Sequence, residues 1–361
     1  MIIKLNIEDL KRSVSDMDQI MKGNTLRILD SLLITAKDGA ITLTANDLNI
    51  KVDKRVPGEV LLDGLALLPR DDLALLLKMK NDVELAFEDH QCTVKGSRVF
   101  KFAVDGNVDD FPSMPDIPEG EPDFAIPEND LLYCLKLKKI IPASGNARFQ
   151  GLWIDKNNIL ACDGYRLGKI ELVVDSARKF MLPDFVLNYL AKALDKKSSS
   201  LVVFYIAERG YVKARSESFE IAFRQYDGDF FSYENLFSPG EAKTVVFQKR
   251  ALTDAIGFIC DIGKSGGKNS LKRKEPVVYT FRDHKLKLVY SADDRHVEEE
   301  ILFTCPDAGN MDLAIGFNPF YNYEVLSMVD GEQVTMSFEK TRSPSMIRGD
   351  KENEKYLLLP A

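Results

Sequence analysis

The sequence predicts an α+β protein in which one unit, two helices backed by antiparallel strands, is used three times. Three observations carry this. Amphipathic helices open the stretches Ile7–Gly23, Pro127–Ile140 and Gln248–Gly263. Each runs into strands paired around a turn, at Leu32–Val52, Ala147–Ile170 and Pro276–Ile301. Each stretch then gives a second helix behind an extended apolar lead ("LLDGLALLPRDDLALLLKMK", "KFMLPDFVLNYLAKAL", "LAIGFNPFYNYEVLSMV") and closes on alternating strands. Fixed-period self-similarity of about 120 residues is a domain-sized repeat, several times longer than a solenoid unit. It sets three domains at 1–121, 122–241 and 242–361.

The first helix places Leu10, Val14, Met17 and Met21 on one stripe at i, i+4, i+7 and i+11, the spacing of a single buried face. Lys11, Arg12 and Lys22 lie off it. The same element of the second unit carries Lys136, Lys138 and Lys139. In the third, Leu252, Ile256 and Ile259 form the stripe and Lys249, Arg250 and Lys264 flank it. The second helices add Arg70, Lys78 and Lys80, then Lys192, Lys196 and Lys197, while the third unit's adds none. Acidic residues gather in loops and strands instead, at Asp105, Asp109, Asp110, Asp116, Glu119, Glu121 and Glu298–Glu300.

Such lysines can be simply solvated faces. Their recurrence in five of six helices against a net charge of −8 favours a helical surface that meets phosphates without reading bases, since charge distribution rather than net charge decides this. The loop Gly263–Lys274, "GKSGGKNSLKRK", adds Lys264, Lys268, Lys272, Arg273 and Lys274. Its composition fits a DNA contact, a subunit contact or a solvated loop equally.

Composition excludes several classes. With 45% hydrophobic and 29% charged residues the chain reads as an ordinary globular protein. No apolar run nears the roughly 18 residues of a membrane span, and "MIIKLNIEDLKRSV" lacks the order of a signal peptide. Cys92, Cys134, Cys162, Cys260 and Cys305, odd in number and scattered, read as reduced thiols of a cytoplasmic protein. Without a Cys-x-x-Cys pair or a cluster of His90, His284 and His296, neither a metal nor another cofactor is expected. "GKSGGK" is not a phosphate loop: Gly257 and Gly263 are one residue too far apart, and the segment ends a helix. Asp293–Asp294 reads as a hairpin turn. No catalytic residues are assembled, so the chain is not expected to be an enzyme.

One segment is more specific than composition. "RFQGLWIDKNNILACDGYRLGKIEL", Arg148–Leu172, holds a strand, a turn at Lys156–Asn158, a second strand and then Asp163-Gly164-Tyr165-Arg166-Leu167. It resembles the second domain of the bacterial β sliding clamp family, the processivity subunits of DNA polymerase III, where an Asp-Gly-His-Arg-Leu run follows the same hairpin. "RILDSLLITAKDGAITLTANDLNIKV", "FPSMPDIP", "DGDFFSYENLFSP", "IGFNPFYNYEVLSMV" and the terminal "YLLLPA" match in order, so the resemblance spans essentially the whole chain.

The resemblance implies a clamp fold whose two copies join head to tail in a ring, helices lining the hole, around double-stranded DNA held without sequence preference. It implies a pocket for short apolar motifs of the polymerase, clamp loader and repair proteins. Its wall would comprise Phe149, Cys162, Gly164, Tyr165, Arg166, Leu167, Phe231, Leu236, Pro344, Met346, Leu357, Leu358, Leu359 and Pro360. A last strand packed into the core is the other reading of "YLLLP". Tyr165, Cys162 and Phe231 depart from the family's usual His, Thr or Ser, and Pro, from which altered peptide preference is expected. The strand Val99–Val104, with Phe100 and Phe102 on one face, is an edge to be covered; the end of helix Leu252–Ile262, with Ile262, Lys264 and Lys268, is its expected counterpart across the ring seam. The alternative is an interaction or scaffold protein of this fold that encircles nothing.

Overall fold

A computed structural model describes residues 1–104, 106–238, 240–264, 275–292, 295–306 and 311–361. The threefold repeat is plain in the order of elements. The first pass runs β1 (Ile2–Asn6), α1 (Ile7–Val14), β2 (Ser31–Lys37), β3 (Ala40–Asn46), β4 (Ile50–Val56), β5 (Gly58–Leu62), β6 (Gly64–Pro69), α2 (Arg70–Leu76), β7 (Asp82–Glu88), β8 (Gln91–Lys95) and β9 (Val99–Ala103). The second runs β10 (Phe124–Pro127), α3 (Glu128–Cys134), β11 (Gly151–Asp155), β12 (Asn158–Cys162), β13 (Arg166–Glu171), β14 (Phe180–Pro183), α4 (Asp184–Ala193), β15 (Leu201–Ile206), β16 (Tyr211–Arg215) and β17 (Glu220–Arg224). The third runs β18 (Lys243–Gln248), α5 (Lys249–Lys264), β19 (Val277–Arg282), β20 (Lys285–Ala292), β21 (Arg295–Leu302), β22 (Leu313–Phe317), α6 (Pro319–Met328), β23 (Gln333–Phe338), β24 (Ser345–Arg348) and β25 (Glu354–Leu358). The second and third passes share one order, and the first adds only β5.

Local chemistry sets the helix starts. Asn6 caps α1 by accepting the Glu8 N–H at 2.9 Å, with Glu8 and Asp9 in the first turn and Lys11 and Arg12 in the last, charges that complement the helix dipole. Asn318 caps α6 by accepting from Phe320 and Tyr321 at 3.0 and 3.3 Å. Proline stands at the start of every second helix: Pro69 and Pro183 as the N-caps of α2 and α4, and Pro319 as the first residue of α6. A residue with no N–H and a preset φ suits a helix start. The first helix is shorter than its stripe: α1 ends at Val14 and successive turns carry the chain on, yet Leu10, Val14, Met17 and Met21 are all buried. The second opening helix likewise passes into a 3₁₀ stretch at Leu135–Ile140.

Compactness does not follow the expected thirds. The chain divides into one unit of Met1–Tyr133 with Ser176–Asp227 and another of Cys134–Asp175 with Gly228–Ala361. Strand pairing across the thirds is the reason. In the first unit β17 pairs with β4, from Glu220↔Asp53 to Phe223↔Ile50, giving the sheet order β10-β15-β16-β17-β4-β3-β2-β6 beside β5-β1-β7-β8-β9. In the second unit β13 pairs with β25, from Arg166↔Leu358 to Ile170↔Glu354. Its order is β11-β12-β13-β25-β24-β23-β18, with β21-β20-β19-β22 as a further sheet. The Asp293–Asp294 turn lies outside the described residues, but β20 and β21 pair up to Ala292↔Arg295 on either side of it.

Candidate functional site

The Asp163–Leu167 run forms a tight turn because Asp163 replaces missing backbone partners. Its Oδ1 accepts the N–H groups of Tyr165 and Arg166, each at 2.9 Å, an arrangement that short polar side chains favour at turns. Gly164 sits at φ +91° with nothing near its missing Cβ, where glycine avoids the strain of a side chain. The first unit carries the same device. Asp47 Oδ1 accepts from Asn49 and Ile50 at 2.9 Å each, and Leu48 takes the left-handed position at φ +73°.

Register then aligns residues from four strands. Cys162 opposes Leu167, Leu167 opposes Leu357, and Leu357 opposes Met346. Directly opposed residues in antiparallel strands share a face, so these four form one apolar row. They are 6%, 4%, 4% and 8% exposed, nearly covered but reaching the surface. Burial pushes the Cys162 thiol up to about 11, so it stays a neutral, apolar wall at physiological pH. The other face of the sheet receives the helical elements: a Cβ at Gly168 would stand 2.6 Å from Leu137 and 2.7 Å from Ile140.

On the row's side, the next line of residues is Trp153, Leu160, Lys169 and Lys355. Connector aromatics pack over it. Trp153 and Phe230 rings lie 5.5 Å apart, Phe230 and Phe231 4.4 Å, and Phe231 and Phe149 6.5 Å. Lys169 Nζ sits 5.0 Å from the Phe237 ring, and Tyr233 donates to Asp155 at 3.1 Å. Leu236 is exposed, and Pro344 and Pro360 are half-buried at the ends of β24 and β25. Leu359 is 37% exposed and its N–H donates to the Tyr165 carbonyl at 2.9 Å.

Two expected wall residues point the other way. Leu358 opposes Arg166 and Ser345 and is fully buried, because alternation along β25 sends it to the helix face. Arg166 is buried on that same side. Its Nε bonds Asp163 at 3.0 Å, its Nη2 donates to the Lys139 carbonyl at 3.0 Å, and its Nη1 pairs with Glu324. Its guanidinium lies 4.6 Å from the Tyr321 ring centroid, and Tyr321 stacks on Tyr165 at 5.6 Å. Sequence reasoning missed Trp153, Phe230, Tyr321 and Glu324. The aromatic density of "DGDFFSYENLF" was a readable signal for Phe230; α6 gave none.

The first unit carries the row's counterpart in polar form. Asn46, Lys51, Ala222 and Lys213 oppose one another in the same manner across β3, β4, β17 and β16. Lys51 pairs with Asp53 at 2.7 Å, and Lys213 with Glu119 and Glu220 at 2.9 and 3.0 Å. A cleft of about 1100 Å³ opens on this part of the unit, lined by Thr42, Thr44, Asp53, Arg55 and Glu220 among others. Charges already paired offer an apolar peptide nothing that offsets their desolvation.

The basic residues expected on an open surface do not behave alike. Lys22, Lys78, Lys80, Lys196 and Lys197 are exposed and form no ion pair among the described residues. Lys11 pairs with Glu8 at 2.6 Å, Arg12 with Asp9, Arg70 with Asp18 through bonds of 2.8 and 3.1 Å, and Arg250 with Asp254 at 3.5 Å. Lys192 donates to Gln19 at 2.8 Å and Lys139 to Ser327 at 3.1 Å, while Lys138 is half-buried. Lys136 is internal, 2.5 Å from Glu354 and 3.2 Å from Asp330, and Lys249 donates to the Val329 carbonyl. These last two are braces, because a carboxylate or carbonyl distant in sequence satisfies them.

The Arg70 hydrogen bonds hold the Asp18 carboxyl below its ordinary value. A depressed carboxylate stabilises the fold above its unfolded pKa, and that contribution is lost as pH falls through the folded one. Since Asp18 is more than half exposed, solvent screening limits it to about 1 kcal/mol or less. Asp18→Asn should therefore lower the melting temperature slightly at pH 7, where the charged group contributes, and flatten its fall below about pH 4, so that the two proteins converge in acid; an unchanged acid limb would contradict this.

Phe100 and Phe102 stand half-buried on β9, rings 5.9 Å apart, and β9 is a sheet edge. Lys264 pairs with Asp261 at 3.5 Å, and the Ile262 carbonyl accepts from Arg295 at 2.9 Å. Lys268 and the rest of 265–274 lie outside the described residues. The second unit presents an edge that sequence reasoning passed over: β21, bearing Glu298, Glu299 and Glu300. No residue group able to hold a metal occurs among the described residues, and no described helix is long and apolar enough to cross a membrane.

Comparison with known proteins agrees with this architecture. The family model "DNA polymerase III beta subunit, N-terminal domain" matches residues 1–115 and the corresponding C-terminal domain model matches 269–361. The beta sliding clamp of Pseudomonas aeruginosa is 21% identical over 94% of both chains, and that of Bacillus subtilis 23% identical over 94% of this chain and 93% of its own. Among solved structures, the DNA polymerase III subunit beta of P. aeruginosa superposes with a TM-score of 0.88 at 21% identity, covering 100% of both chains. A putative DNA polymerase III beta subunit from Eubacterium rectale gives 0.89 at 21% identity, covering 100% of this chain and 99% of its own. With two domain models of one family matching more than half of its length, the chain belongs to the DNA polymerase III beta subunit family, the beta sliding clamps.

Proposed function

We propose that two copies of this chain close head to tail into a ring around duplex DNA and tether the replicative polymerase, clamp loader and repair factors through the apolar face of the second unit. The domains 1–121, 122–241 and 242–361 are the repeated modules of that ring. The observation that carries the docking reading is the row Cys162–Leu167–Leu357–Met346, which two repeats build together and which the first unit replaces by paired charges. A short apolar peptide laid along it would bury its anchors against Phe149, Phe231 and Leu359, with the turn at Asp163 at one end.

DNA contact rests on unpaired cations such as Lys22, Lys78, Lys80, Lys196 and Lys197, which meet phosphates in a salt-dependent, sequence-neutral way. A ring need not bind tightly, since topology holds it. Its seam would bring the β9 edge, with Arg98 and Lys101, to the β21 edge of the second copy, with its three glutamates. Two unpaired edges of opposite charge suit each other. The chain acts in the cytoplasm as a processivity subunit and supplies no catalysis. Sedimentation tests the assembly: twice 40.7 kDa is expected, and a strict monomer at micromolar concentration would defeat it. Titration with clamp-binding peptides should give one site per chain.

A further inference from the structure

The second unit buries an arginine that its own turn does not need. Arg166 is among the buried charged residues, held by Asp163 at 3.0 Å, by Glu324 on α6 and by the Lys139 carbonyl at 3.0 Å. Burying a guanidinium carries a desolvation penalty that its partners must offset. The first unit shows that this expense is not for the turn. Asp47, Leu48, Asn49 and Ile50 make the same two Asx hydrogen bonds at the same 2.9 Å, with apolar Ile50 in the arginine's place. What differs is the neighbourhood. Above the Arg166 guanidinium lies Tyr321, 4.6 Å to its ring centroid, and Tyr165 stacks on Tyr321 with ring planes 28° apart. Cation–π and stacked-ring contacts of this kind orient aromatic rings. Tyr165 remains 58% exposed, next to Leu359, whose N–H its carbonyl holds.

We propose that Arg166, clamped by Asp163 and Glu324, is a positioning residue that presents the Tyr321–Tyr165 stack as an aromatic platform at the end of the docking row, and that the exposed Tyr165 ring takes an aromatic side chain of the partner peptide. This rests on the docking reading above. Arg166 touches no ligand itself; it acts through Tyr321. The platform is specific to this turn: Ile50 stands after the first repeat's turn, and Arg295, which follows the third repeat's, donates to the Ile262 carbonyl.

The test uses the full-length protein and two fluorescent peptides, one apolar with a terminal phenylalanine and the same peptide with alanine in that place. Arg166→Ile installs the residue that the sister turn already tolerates. Tyr165→Ala removes only the exposed ring, so it keeps the test open should Arg166→Ile fold poorly. Both variants should bind the phenylalanine peptide about tenfold more weakly while binding the alanine peptide as the wild type does. Equal weakening of both peptides would make Arg166 a general structural brace, and unchanged binding of both would remove its role; either result overturns the inference. If the wild-type chain bound neither peptide, the docking reading itself would fall and take this inference with it, a failure distinct from the other two.

Discussion

Leu359→Asp lowers the affinity for an apolar clamp-binding peptide by about 100-fold, with melting temperature nearly unchanged. Leu359 directly follows β25 and is part-exposed, so the folded chain loses little when it changes. The complex loses burial of the leucine's exposed third, about 1 kcal/mol at most, and must also desolvate a carboxylate beneath the peptide, which costs several kcal/mol more. Together these exceed the 2.8 kcal/mol or so that corresponds to 100-fold. Isothermal titration measures it. Unchanged affinity would move the docking site away from β25. The same change at Leu358 is a different experiment, since that side chain lies in the core and its loss acts on folding.

The largest stability effect is expected at Glu354. It is 1% exposed, lies 2.5 Å from Lys136 and accepts from the Tyr356 hydroxyl at 2.9 Å. Glu354→Ala removes the nearer carboxylate of the Lys136 ammonium, Asp330 standing at 3.2 Å, and leaves the Tyr356 hydroxyl without its carboxylate. Breaking one side of a buried pair costs about 3 kcal/mol or more, which for a unit of this size lowers the melting temperature by roughly 6–12 °C. Differential scanning calorimetry reads it directly. A change of less than about 2 °C would show that Lys136 finds water instead. Peptide affinity should fall with it, because β25 and the residue after it place Leu357 and Leu359 on the proposed docking face.

What the sequence made legible was periodic or local. Leu10, Val14, Met17 and Met21, and Leu252, Ile256 and Ile259, are all buried, because the helical period assigns a face without reference to the rest of the chain. The Asp163 turn was legible because its hydrogen bonds lie within three residues. What stayed hidden depends on pairings across the chain. Alternation divides Leu357, Leu358 and Leu359 into two classes, but only the β13–β25 register decides which class faces the helices. Lys136 counted as a surface cation until Glu354, more than 200 residues on, proved to hold it. The compact units cut across the repeats for the same reason: β17–β4 and β13–β25 join strands that no local pattern links. The edge at β21 was legible in principle, since Glu298–Glu300 in a strand signals an outer position.

Topology tests the proposed encirclement of DNA without knowledge of the contacts. The protein is loaded by its clamp loader onto nicked circular DNA, and retention is followed by gel filtration before and after the circle is linearised. The chain should stay on the circle in moderate salt and run off the ends once it is cut, with half-life set by sliding rather than by dissociation. Equal retention on circular and linear DNA, or none on either, would contradict it.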